Sequence, residues 1–211
     1  MTTFLPKIVK CANCGSDQEV KVLTSTNSFG PCDFDLRPAP MARNTLSLRI
    51  EFCDKCEYGS HDFSKISTIA KEVLDTKEYH DFIHSFVDNE TVMAYLGDYY
   101  IQKAKEKYKE AYFSMRNVAW ILDDYRNRLA KDARILALEC FNKYGDNNFV
   151  IDERIAKVDM LRRAGLYQNA ISYANELLTL TSDEMLVKIL NYEISFAESK
   201  DDRCHSTGEI K

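Results

Sequence analysis

The chain has 211 residues, 45% of them hydrophobic and 29% charged, with a formal net charge of −5. That is enough sequence for one or two domains with a buried core, and the acidic balance argues against nucleic-acid binding through bulk electrostatics, which needs clustered Lys and Arg. No apolar run approaches the roughly 20 residues of a membrane span, and "MTTFLPKIVKCANC" has neither a long apolar core nor a small-residue cleavage site. The expectation is therefore a cytoplasmic protein with no signal peptide and no membrane association, whose seven cysteines stay reduced.

The first motif in chain order is "KCANCGSDQE", a Cys-x-x-Cys pair at Cys11 and Cys14. "EVKVLTS" follows and reads as a strand. Residues 25–44, "STNSFGPCDFDLRPAPMARN", read as loop throughout. "TLSLRIEF" alternates Leu46, Leu48, Ile50 and Phe52 with polar neighbours, the period of two that marks a half-buried strand. The second pair, Cys53 and Cys56, lies in "EFCDKCEYGS". All four prolines precede Met41.

Beyond Phe63 the apolar spacing changes to three and four, the signature of amphipathic helices. Ile66, Ile69, Ala70, Val73 and Leu74 share one face, as do Val92, Tyr95, Leu96, Tyr99 and Tyr100. "AYFSMRNVAWILDDY", "RLAKDARILALECF" and "IDERIAKVDMLRRAG" continue the pattern. Short polar breaks stand at 88–90, 144–148, 164–167 and 181–184. Gly165 is the expected left-handed terminator, and Ser182 or Asp183 the cap of the last helix. The expected fold is α+β, mostly α. It comprises a small zinc-ribbon-like β module over residues 1–64, six or seven helices over 65–199 and a frayed polar tail over 200–211.

The two Cys-x-x-Cys pairs, 38 residues apart and each at the edge of a predicted strand, point to one tetrahedral thiolate site formed by Cys11, Cys14, Cys53 and Cys56. Two intervening residues let a tight turn aim both sulfurs at one ion. Gly15 suits the positive φ such a turn needs; Glu57 and Gly59 make the second turn less ideal. Zinc is the expected ion, with a rubredoxin-like iron site as the alternative. Redox pairing is disfavoured because neither motif opens a helix. Four sulfurs close the coordination shell, so the metal is expected to be structural. Cys32 and His61 are weaker ligand candidates, Cys140 reads as core, and Cys204 and His205 fall in the tail.

In the intervening loop, Asp33, Asp35 and Arg37 form a candidate site. Two carboxylates can hold a hard cation or perform acid–base chemistry. The plainer reading is that they make turns and pair with Arg37 and Arg43, fixing the loop to the module. No nucleophilic triad can be assembled around them.

The helical half has a tetratricopeptide-like (TPR-like) spacing. Gly165, Tyr167, Ala170, Ala174 and Leu177 fall where such a repeat puts its turn glycine, aromatic and small packing residues. Tyr108, Ala111, Met115 and Val118 repeat part of it at an offset of 59 residues. A plain helical bundle is the alternative. Taken together, "CANCG", "STNSFG-CDFDLRP", "CDKCEYGSHDFS" and "AYFSMRNVAWILDD" resemble a bacterial family known as domain of unknown function 2225. The resemblance implies a zinc-ribbon site at the same four cysteines followed by tetratricopeptide helices. Asp33, Asp35 and Arg37 match its recurring loop segment, while Cys32 and Glu57 depart from its pattern.

The expected function is a protein-interaction or adaptor module with a structural zinc, holding a protein or peptide in a helical groove. Two alternatives come from other classes. One is a metal-dependent enzyme using Asp33, Asp35 and His61. The other is a zinc ribbon reading nucleic acid, which is disfavoured because residues 1–64 carry seven Lys/Arg against eight Asp/Glu.

Overall fold

In the computed structural model, which describes residues 1–210, the chain opens with an antiparallel hairpin. Its strands are β1 (Thr3–Lys10) and β2 (Asp17–Ser25), paired from Lys10↔Asp17 to Thr3↔Ser25 with an irregularity near Thr3. The first cysteine turn joins them. A second, minimal pair, β3 (Glu51–Phe52) and β4 (Gly59–Ser60), brackets the second cysteine turn. Eight α-helices follow among the described residues: α1 (Thr68–Leu74), α2 (Lys77–Ile83), α3 (Glu90–Ala104), α4 (Tyr108–Asp124), α5 (Ala130–Tyr144), α6 (Ile151–Arg163), α7 (Tyr167–Leu178) and α8 (Glu184–Glu198). The fold is thus α+β and mostly α.

Helix starts follow capping chemistry. Ser67, Thr76, Asn89 and Asp183 each accept a backbone N–H from the first turn of the helix behind them, satisfying donors that have no intrahelical partner. Four helix ends, those of α3, α4, α6 and α8, share a single device. Glu106, Arg126, Gly165 and Lys200 all sit at positive φ, and the next residue's N–H reaches back five residues, as Leu166 N to Leu161 O at 2.9 Å. This is a left-handed C-terminal cap, and only Gly165 adopts it without side-chain strain.

α3 is the pivot between the halves. It is buried from Val92 to Tyr99 and meets β3, β4, α1, α2 and α4. Gly59 and Gly97 permit this approach: a methyl on Gly59 would overlap the Ala94 backbone, and one on Gly97 would strike the Tyr79 hydroxyl. One hydrophobic cluster runs without interruption from Val9 and Cys11 to Leu190 and Ala197. Of the positions aligned by repeat spacing, Ala111, Met115, Val118, Ala170, Ala174 and Leu177 are fully buried in it, whereas Tyr108 and Tyr167 are half-buried at its edge.

Several expectations are corrected. "TLSLRIEF" is not a strand through its length: Ala42–Leu48 forms a 3-10 helix and only Glu51–Phe52 pairs. Leu46 and Leu48 are half-buried in that 3-10 helix, whose fully buried residue is Thr45. β1 lies in a segment where Pro6, Lys7 and Lys10 mask the alternation. The helices number eight because α1 and α2 break at Asp75–Thr76, where the Thr76 hydroxyl caps.

The tail is not frayed. His205 is buried, stacks on Phe196 at 3.8 Å and binds Asp201 and Glu209. Its carbonyl accepts Phe34 N, and Thr207 N donates to Cys32 O. The 26–43 segment is irregular but docked: Phe34, Asp35, Arg37 and Ala39 are each at most 3% exposed.

Candidate metal centre and a buried charged seam

The two cysteine turns are built alike. Cys11 N donates to Ser16 O and Gly15 N to Cys11 O; Cys53 N donates to Tyr58 O and Glu57 N to Cys53 O. The fourth residue after each leading cysteine, Gly15 or Glu57, has positive φ. Glu57 departs from glycine yet occupies the same backbone position. Its carboxylate bridges to α2, with Oε2 at 2.6 Å from His80 Nδ1 and Oε1 at 2.7 Å from His84 Nε2. These contacts, with Tyr79 Oη donating to Glu57 O, offset the cost of a side chain in a left-handed turn.

The turns face each other. The sulfurs of Cys11, Cys14, Cys53 and Cys56 all lie within 4.8 Å of one another, with Cys11–Cys56 at 3.7 Å and Cys14–Cys53 at 3.5 Å. A tetrahedron of Zn–S bonds near 2.3 Å has edges of about 3.8 Å, so the donor set fits one tetrahedral metal ion. All seven cysteines are free thiols. Burial pushes the Cys11 and Cys56 thiols up, against hydrogen bonds from their turns. At Cys14 burial is outweighed by hydrogen bonds from Ser16 and the neighbouring sulfurs, which bring it down to about 6. Four adjacent thiols cannot all ionise unless a cation shares the charge. Gln18 Nε2 donates to Asp54 Oδ1 at 2.6 Å, tying one turn to the other.

The remaining ligand candidates lie elsewhere. Cys32 faces Thr207 in the tail. His61 is exposed, with Nδ1 at 2.6 Å from Arg49 O. Cys140 is core. Cys204 donates to Asp33 Oδ2.

Asp33, Asp35 and Arg37 enter a different assembly. Asp35 is 1% exposed. Its Oδ2 accepts Trp120 Nε1 at 2.7 Å and Arg163 Nη1 at 3.0 Å, and its Oδ1 accepts Arg37 N. Asp33 pairs with Arg43 at 2.6 Å and Arg37 with Asp124 at 2.5 Å. The carboxylate oxygens that a hard cation would need are therefore taken by donors of the chain itself. The expected pairing of Asp33 with Arg43 is present, but Asp35 and Arg37 reach across to the helices.

From Asp35 a seam of charge runs through the helical body. Arg163 bridges Asp35 and Asp123, and Arg134 joins the same Asp123. Arg162, fully buried, binds Asp159 at 2.5 Å and Glu193 at 2.7 Å, and donates to the carbonyls of Asp201 and Arg203. Burial favours the neutral Asp35 carboxyl, but Arg163, Arg134 and the Trp120 N–H outweigh it and hold it below the ordinary carboxylate range. Glu193 goes the other way. Burial, reinforced by Asp159 beside it, pushes it up to about 8. Asp159 Oδ2, 3.6 Å from Arg163 Nη1, and Glu193 Oε1 are buried without a hydrogen-bond partner, so a proton on this pair gives one oxygen a donor that Arg162 alone cannot supply to both.

The seam was not read from the sequence. Arg162 and Arg163 look like ordinary last-turn cations. The available signal was Asp159 three and four residues ahead of them, flanked by the apolar Val158, Met160 and Leu161.

Among known proteins, no protein-family model, curated protein or solved structure matches the chain. No helix among the described residues is long and apolar enough to cross a membrane.

Proposed function

We propose that Cys11, Cys14, Cys53 and Cys56 hold one zinc ion as a structural staple, and that the chain serves in the cytoplasm as an interaction module for a protein or peptide. The observation that carries the first part is the mutual approach of four sulfurs within 4.8 Å on two matched turns. Bound there, zinc supplies a cross-link between residues far apart in sequence, with four thiolates filling its tetrahedral shell. The turns supply the rest: backbone N–H groups orient the sulfurs, and Ser16 Oγ sits 3.0 Å from Cys14 Sγ and 3.3 Å from Cys53 Sγ.

The interaction role is supported by the form of the helical half. Consecutive helices α3 to α8 pack on one another through small residues such as Ala111, Ala170 and Ala174, the packing that TPR-like arrays use to present binding surfaces. Membership in the domain of unknown function 2225 family belongs to the same proposal.

Metal analysis of the purified chain tests the staple: one zinc per chain is expected, and iron or less than half an equivalent would overturn it. For the second part, partners captured from the native host by the intact chain are re-tested with purified components. A saturable complex that needs the helical half is expected, and its absence would refute the interaction role.

A further inference from the structure

Four arginines converge on one cavity. Arg37, Arg43, Arg49 and Arg116 line a space of about 320 Å³ whose wall includes Phe113 and Trp120 on α4. This is a concentration of positive charge in a chain whose net charge is −5. Three carboxylates partly answer it: Asp124 pairs with Arg37, Asp33 with Arg43 and Glu153 with Arg116. Arg49 has no ion pair among the described residues, and its side chain donates only from Nε to Thr45 Oγ1 at 3.0 Å.

The donors are not exhausted. Arg37 and Arg116 are 3% and 9% exposed, and the Nε of each is buried without a partner. Among the described residues, Arg37 Nη1, Arg116 Nη2 and both terminal nitrogens of Arg49 also donate to no protein atom. The Arg116 guanidinium lies 4.7 Å from the Trp120 ring and 4.9 Å from that of Phe113, which fixes its plane.

Planar guanidinium forks match phosphate oxygens in pairs and are restrained here before any ligand arrives. An apolar or cationic occupant would leave these donors unmatched. We infer that this cavity binds a small phosphate-bearing molecule, its phosphate held by Arg37, Arg49 and Arg116. The volume sits at the lower end for small-molecule pockets, and suits an anion of pyrophosphate size. The site is separate from the metal centre and does not depend on the proposed interaction role.

The only tryptophan of the chain is in this wall and donates to Asp35 behind it, so its emission reports on this cavity and on that contact, and calorimetry separates binding from a change at Asp35. The intact metal-loaded protein is titrated with inorganic phosphate, pyrophosphate and acetate, followed by Trp120 fluorescence and by calorimetry. Saturable binding of one pyrophosphate per chain is expected, with weaker phosphate binding and no response to acetate. Arg49→Gln, at an exposed position, should weaken pyrophosphate by about tenfold or more with an unchanged melting temperature. Arg37→Lys keeps the charge facing Asp124 but loses the fork, and should also weaken it. Lys188→Gln, an exposed cation on α8 outside the cavity, should change nothing. No saturable response to either phosphate at roughly 10 mM, acetate binding as tightly, or unaltered binding in Arg49→Gln would overturn the inference.

Discussion

The metal centre draws its four sulfurs from two turns of the same design, each closed by its own backbone hydrogen bonds. The charged seam draws its groups from the 26–43 loop, α4, α5, α6, α8 and the tail, with ion pairs spanning up to 128 residues. The first is two locally complete pieces brought together; the second has no local piece at all. A metal site of this kind gains its energy from one added ion, whereas buried ion pairs gain theirs only if every partner arrives, because each charge left alone in the interior is costly. The seam is therefore where the N-terminal loop, the helices and the tail are made interdependent. A metal held by the four sulfurs would cross-link only the two cysteine turns.

That contrast can be broken from either side. The largest effect is expected from Cys53→Ser with Cys56→Ser. If the proposed zinc is bound, its loss removes a contribution on the order of 10 kcal/mol to the fold of the cap. Hydrogen exchange should show protection lost across the cysteine turns and β1–β2, with α4 to α6 still protected. Protection lost equally everywhere would mean that the cap is not a separate energetic unit.

Arg163→Ala should rank second. It leaves Asp35, Asp123 and Asp159 short of a cation in a buried setting, a loss of about 3–5 kcal/mol by analogy with other broken buried pairs. Urea denaturation measures it. The effect should reach both the loop and the tail, visible as faster proteolysis of each.

Gly59→Ala tests the contact between cap and helices. A methyl there meets the Ala94 backbone, which cannot rotate away, and a destabilisation of about 1–3 kcal/mol is expected from overpacking.

A smaller effect separates the two ends of the seam by pH. Between roughly pH 4.3, where an unfolded glutamate releases its proton, and about 8 for folded Glu193, the folded chain holds a proton that the unfolded chain has lost. Stability from this group declines as pH rises through that window. Glu193→Gln should flatten the decline, measured as melting temperature against pH. Asp35 acts in the opposite sense: its depressed carboxyl contributes stability above the ordinary range and loses it only on acidification.

The smallest change is expected from Glu57→Gly. Relief of a left-handed side chain is set against loss of half-exposed contacts with His80 and His84. The net should stay within about 1 kcal/mol by denaturant titration.

What the sequence determined by itself was local. The Cys-x-x-Cys spacings marked the four residues that converge, since two intervening residues commit a turn to aim both sulfurs one way. The period of three and four marked the buried faces of α4 and α7; Gly165 marked the end of α6 and Asp183 the start of α8, because a left-handed cap and an N-cap are one-residue decisions. The ends at Glu106, Arg126 and Lys200 were hidden, since charged residues took the glycine position.

Only the tertiary structure decided the rest. It turned the first half of the alternating "TLSLRIEF" into a 3-10 helix, because contact with β2 and the hydrogen bond from Tyr95 Oη on α3 to Leu46 O outweighed a short local pattern. It ordered a polar tail through Arg162, whose donors reach carbonyls about forty residues away. It also placed Asp35, Arg163 and Trp120 together, and four arginines around one cavity. Charge partners chosen across such distances leave no periodicity in the chain, because their energy depends on position in space and not on spacing in sequence.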